Sequence, residues 1–200
     1  SVKLIVSLTL IVVVIKSIFG FISLDTHSEY DESVNHTVRY RMNDRINDAM
    51  RKAIVTARTT MREKIGGPFG AAILDRDGNR IAVASNTVLR DHDPTAHAEI
   101  NAIRMAGQML GTHDLKGCIM IATCYPCPMC LSAILWANID TLVYGCDAND
   151  AAQIGFRDDF ITGYFKDPDA HRELITMRQV NRDACLTLFE EYAKSRFELY

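Results

Sequence analysis

An excess of positive charge is missing from this 200-residue chain: 22 lysines and arginines stand against 25 aspartates and glutamates, for a net charge of -3. Nothing in that balance draws a nucleic-acid backbone or an acidic membrane surface, so polynucleotide binding is disfavoured from the outset. Cysteine is too sparse for a disulfide scaffold. There are six in all, and three of them crowd into TCYPCPMC at 123–130. That clustering suits metal chemistry in a reducing compartment, which points to the cytoplasm. Internal repeats and low-complexity segments are also absent, which argues against stacked-repeat architectures. With 48% hydrophobic and 24% charged residues, the expectation is one well-packed domain with a tail.

The tail is apolar. From Leu4 to Leu24 the chain reads LIVSLTLIVVVIKSIFGFISL, long enough to span a bilayer and interrupted by Lys16. Residues 1–24 therefore read as a membrane anchor or a signal segment, although no Ala-x-Ala type cleavage site follows; the alternative is an apolar extension that packs on a partner subunit. Residues 25–39 are polar and read as a linker, which places the folded domain at 40–200.

Within that domain, Met42, Ile46, Met50, Ile54, Ala57 and Met61 recur at spacings of three and four. They predict one amphipathic helix ended by Gly66, Gly67 and Pro68. Phe69–Leu74 and Arg80–Ala84 are short β-type runs around the turn DRDGN. Helical periodicity over 96–110, a strand run CIMIAT at 118–123, a helix over 128–137, a strand TLVYG at 141–145 and helices near 169–178 and 181–196 complete the pattern. Strands alternating with helices predict an α/β sheet covered by helices.

The motif TCYPCPMC holds Cys-x-x-Cys twice. Cys127 precedes Pro128 at the start of a helical run, so Cys127 and Cys130 share the first turn, where the helix N-terminus favours thiolates. Cys124 ends the preceding strand and reads as a small buried residue. A third ligand is supplied by DPTAHAEINAIR at 93–104, where His97 opens the other helix and Glu99 follows two residues on. Three protein ligands leave a metal position open for water, the arrangement of catalytic rather than structural zinc. Glu99 then serves as the proton shuttle for a hydroxide that the zinc supplies at neutral pH.

His-x-Glu followed by Pro-Cys-x-x-Cys is the pattern of zinc deaminases. From GGPFGAAI at 66–73 to its C-terminus, the chain resembles the cytidine deaminase-like superfamily, and within it the guanine deaminase branch. The resemblance implies a three-layer α/β fold with a mixed five-stranded sheet between helices, one Zn2+ per subunit on His97, Cys127 and Cys130, and hydrolytic removal of an amino group from a nucleobase. Three features favour guanine as that base. DAAQIGFRDDF at 150–160 implies that Asp158 hydrogen-bonds the purine. ASNTVL implies that Asn86 contacts the base. The closing EYAKSRFELY implies that Tyr200 reaches the partner's active site in a homodimer, with the C-terminal segment 165–200 swapped. Phe69 and Trp136 match pocket-lining aromatics. One departure stands out: the residue before Pro-Cys-x-x-Cys is usually glutamate in this branch, and here it is Tyr125. Guanosine, cytosine or cytidine, and tRNA adenosine remain alternative substrates, and a non-catalytic interaction domain stapled by zinc is the alternative from another class.

Overall fold

In the computed structural model, which describes residues 26–197 and the side chains of 39–197, the chain divides into two compact units, Ser1–Asn43 and Asp44–Tyr200. Helix α1 spans Thr26–Arg62. The stretch expected as a polar linker is thus helical from Thr26. No glycine or proline stands between Gly20 and Gly66 to interrupt it, and the helix stops just ahead of Gly66, Gly67 and Pro68. The apolar run 4–24 lies outside the described residues, among which no helix is long and apolar enough to cross a membrane.

The second unit is built on a mixed sheet of β1 (Gly70–Leu74), β2 (Arg80–Ser85), β3 (Ile119–Cys124) and β4 (Thr141–Cys146), in the order β2-β1-β3-β4. β1 runs antiparallel to both neighbours, and β3 and β4 are parallel. Helices α2 (Val88–Asp91) and α3 (Ala98–Leu110) lie between β2 and β3, and α4 (Pro128–Trp136) between β3 and β4. After β4 come α5 (Ala148–Gln153), α6 (Asp159–Lys166), a 3-10 turn at Asp169–His171 and α7 (Arg182–Ser195).

The sheet has four strands among the described residues, not the five expected. Past β4 the backbone is captured by a capping box: Asp147 Oδ1 accepts from the N–H groups of Asn149 and Asp150, and Asp150 Oδ2 accepts from the Asp147 N–H. Those bonds satisfy the free donors of a helix start and commit the chain to α5 rather than to another strand. The helix expected over 169–178 is also corrected. It shrinks to the turn behind Pro168, and the helical turns lie earlier, at 159–166.

Alternation along β1 makes the layers. Ala71 and Ile73 face a core with Ala98, Ala102 and Ala106 of α3 and Ile134 of α4, whereas Ala72 and Leu74 face Ala49 of α1, with Ile46 and Met50 packed alongside. A strand buried on both faces reads as a continuous apolar run, as GAAIL does. On α1 the buried face is Ala49, Ala53 and Ala57, while Ile54 and Met61 of the expected apolar stripe are exposed.

Gly70 explains why alanines win that face. A Cβ at Gly70 would lie 2.2 Å from the Ala53 carbonyl oxygen and 3.2 Å from Ala57 Cβ, so helix and strand touch backbone to backbone. Gly70→Ala is expected to lower the free energy of unfolding by about 3 kcal/mol, the upper range for overpacking a filled interior. Denaturant titration checks this, and an unchanged midpoint would mean that α1 can slide away at no cost.

Candidate active site

Both metal-binding motifs sit where a strand or loop turns into a helix. His97 is the N-cap residue of α3, and Cys127 is the N-cap of α4 with Pro128 at its first position. Cys130 follows one turn later and is fully buried. Helix N-termini carry exposed N–H donors and a partial positive charge, which favours thiolates at 127 and 130.

The three side chains converge. His97 Nδ1 lies 3.6 Å from Cys127 Sγ and 3.5 Å from Cys130 Sγ, and the three candidate ligand atoms all lie within 4.8 Å of one another. Zinc bonds of about 2.0–2.1 Å to nitrogen and about 2.3 Å to sulfur, at a tetrahedral angle, require a nitrogen-to-sulfur separation of roughly 3.5–3.6 Å. The donor set and its spacing therefore fit zinc. Electrostatics agree: hydrogen bonding from the Cys130 thiol, aided by the His97 ring, holds Cys127 down to about 4. The Cys127 thiolate in turn raises the His97 imidazole and, together with burial, pushes Cys130 well up.

Glu99 sits in the first turn of α3 and is only 7% exposed. Its Oε2 accepts from the Cys130 thiol at 3.5 Å. Burial raises its pKa above the ordinary carboxylate value, which makes it a stronger base than an exposed glutamate.

A cavity of about 500 Å³ opens over this group, with His97, Glu99 and Cys127 in its wall. Asn86, Phe69 and Asp158 line the same cavity. The orientation of the Asn86 amide follows from its bonds, because Oδ1 accepts from the backbone N–H groups of Gly67 and Val88, each at 3.2 Å. Two donors at that end require the oxygen there, and this leaves the NH2 end as the donor for a ligand. Glycine at 66 permits the approach, since a Cβ there would lie 2.2 Å from the Asn86 carbonyl oxygen. Asp158 precedes α6, and burial raises its carboxyl.

Not every expected residue joins. Trp136 is 75% exposed and lies outside the cavity lining. It falls six residues past Cys130, which turns it to the opposite side of α4 from Cys130 and Ile134. Tyr200 lies outside the described residues. Cys124 is buried and its thiol donates to the Asp147 carbonyl at 3.3 Å, away from the metal trio. Cys146 and Cys185 are exposed, because β4 is an edge strand and α7 buries no residue.

Two cavity aromatics escaped the sequence reading. Phe156 packs edge-to-face on Phe69, with ring centroids 4.9 Å apart. Tyr125, read only as a departure from a family pattern, lines the wall. The one sequence signal for Phe156 was its place two residues before Asp158.

Comparison with known proteins agrees with this geometry. The pattern of the cytidine and deoxycytidylate deaminase zinc-binding region matches residues 43–146. Guanine deaminase of Bacillus subtilis is 42% identical over 141 residues, which cover 70% of this chain and 89% of that protein. A tRNA-specific adenosine deaminase of Agrobacterium fabrum is 39% identical over 121 residues, or 60% of this chain and 74% of that protein. The X-ray structure of guanine deaminase from Bacillus subtilis superposes with a TM-score of 0.72 at 39% identity, covering 77% of this chain and 98% of that one. A His-Cys-Cys trio spaced for zinc beside a buried glutamate, set in a chain matched over more than half its length, belongs to the cytidine and deoxycytidylate deaminase zinc-binding family.

Proposed function

We propose that this protein deaminates guanine hydrolytically to xanthine and ammonia, with zinc held by His97, Cys127 and Cys130. The observation that carries the reading is the cavity that brings His97, Cys127, buried Glu99, Asn86 and Asp158 together, with Cys130 grouped behind His97 and Cys127. Likeness to the Bacillus subtilis guanine deaminase over most of that protein's length supports the choice of base.

Zinc, when bound, polarises a water so that it is nucleophilic near neutral pH. The chain's own groups do the rest. The Phe69–Phe156 pair forms one apolar wall beside the planar base, the Asn86 amide donates to an acceptor on its edge, and Asp158 accepts from its N–H groups. Glu99 takes the proton of the attacking water and passes it to the ring nitrogen beside the aminated carbon. It then takes the remaining proton of the added hydroxyl and delivers it to the amine, which leaves as ammonia as the carbonyl of xanthine forms.

The active unit is a homodimer with the segment 165–200 exchanged between chains, so that Tyr200 completes the partner's cavity. This reading is supported by the apolar side chains that α7 leaves in solvent: Leu188 and Phe189 are 64% and 70% exposed, and no residue of that helix is buried. Such a helix needs another surface to cover it. Six free thiols favour a reducing compartment such as the cytoplasm. The deaminase domain is assigned to 40–200, preceded in sequence by the apolar segment 1–24.

Ammonia release from guanine, guanosine, cytosine, cytidine, adenine and a tRNA anticodon stem-loop tests the assignment, with guanine expected to be turned over far faster than the rest. Turnover of the stem-loop or of cytosine, with guanine untouched, would overturn the substrate and keep the zinc chemistry.

A further inference from the structure

Between buried Cys124 and buried Pro126, Tyr125 is 41% exposed and faces the cavity. Its position is held from two directions. Its backbone N–H donates to the Cys146 carbonyl at 2.8 Å, which continues the β3–β4 pairing past the end of β3. Its ring meets Tyr144 of β4 edge-to-face, with centroids 5.2 Å apart and planes 85° apart. An aromatic side chain locked by a neighbouring ring and by its own backbone loses little freedom when a ligand arrives, so its contact area is available at low entropic cost. It stands two residues before Cys127, in the short loop that leads into α4, on a different stretch of cavity wall from the Phe69–Phe156 pair.

We propose that Tyr125 is a specificity-determining residue, a prearranged stacking wall of the cavity that selects planar, bicyclic heterocycles over single-ring ones. The inference rests on the reading of the cavity as a nucleobase site and adds to it a contact of this chain's own. Base-on-aromatic stacking is tolerant of ring substituents, so the wall acts on ring size and flatness and leaves recognition of the edge to Asn86 and Asp158. The phenol hydroxyl is not needed for it.

The test compares Tyr125→Ala and Tyr125→Phe with the wild-type full chain, each loaded with zinc and checked for one zinc per chain and for an unchanged melting temperature. Steady-state ammonia release is followed on guanine and on cytosine, and on whichever base the wild type turns over. For Tyr125→Ala the expected result is a KM for the purine raised about tenfold, with kcat within about twofold and a smaller rise for a pyrimidine. Tyr125→Phe should restore the wild-type KM. A purine KM unchanged in Tyr125→Ala, while the wild type deaminates guanine, overturns the wall and leaves the reaction standing. If Tyr125→Phe is as impaired as Tyr125→Ala, the hydroxyl is what matters and the stacking wall is wrong. A wild type that turns over no base at all overturns the nucleobase reading, and the wall with it.

Discussion

Glu99→Gln should lower ammonia release from guanine about 10³-fold while the protein keeps its zinc and its melting temperature. The substitution preserves shape and hydrogen-bonding capacity but removes the group that takes up and returns protons, and positioned acid-base groups account for roughly 10²–10⁴ in rate. Burial keeps the loss above the lower end of that range, because the cavity wall that raises the Glu99 pKa also limits how well bulk water can replace it. Metal content by atomic absorption, thermal melting and kcat are read on the same preparation. A variant that retains zinc and fold but loses turnover assigns the carboxylate to the chemistry. A variant with kcat near wild type would leave the zinc as a staple of the fold and return the non-catalytic alternative to the front.

The second large effect concerns Cys130. It is fully buried, one turn into α4, and its pKa is raised by burial and by the neighbouring Cys127, whose own is lowered. Cys130→Ala should abolish stoichiometric zinc retention after dialysis and, with it, turnover, because two remaining ligands cannot hold the ion in an open site. The same electrostatics set a pH dependence in the wild type. Zinc needs a neutral imidazole and two thiolates; the raised pKa values of His97 and Cys130 make protons compete with the metal at both, whereas Cys127 is held down to about 4. Zinc binding should therefore expel protons and weaken as pH falls. Calorimetry in buffers of different ionisation enthalpy measures that release. Zinc uptake without proton release, or retention by Cys130→Ala at wild-type stoichiometry, would remove Cys130 from the ligand set.

Much of the site was legible before the fold was known because its parts are local. His97 and Glu99 are two residues apart, Cys127 and Cys130 three apart, and each pair announces itself beside a helix start. Trp136, carried over from a family likeness, lies outside the cavity lining in this chain because six residues past Cys130 is more than one and a half helical turns. Phe156 and Tyr125 were missed as cavity aromatics since each reaches the cavity only through a partner ring or strand distant in sequence, Phe69 for one and Tyr144 and Cys146 for the other.

The same division holds for the fold. Ile54 and Met61 fit an apolar stripe on α1, yet the helix turns its alanines inward, because Gly70 lets the backbones of α1 and β1 touch. By itself the sequence determined the order of the main strands and helices as far as β4, the two helix starts that bear the candidate metal ligands and the chemistry those residue types support, all of which depend on spacings of a few residues. Only the tertiary structure decided the number of strands, the face of α1 that is buried, the orientation of the Asn86 amide and the cavity that unites residues 66 to 158. Those outcomes depend on which backbones can approach most closely, a property of pairs of segments that neither segment carries alone.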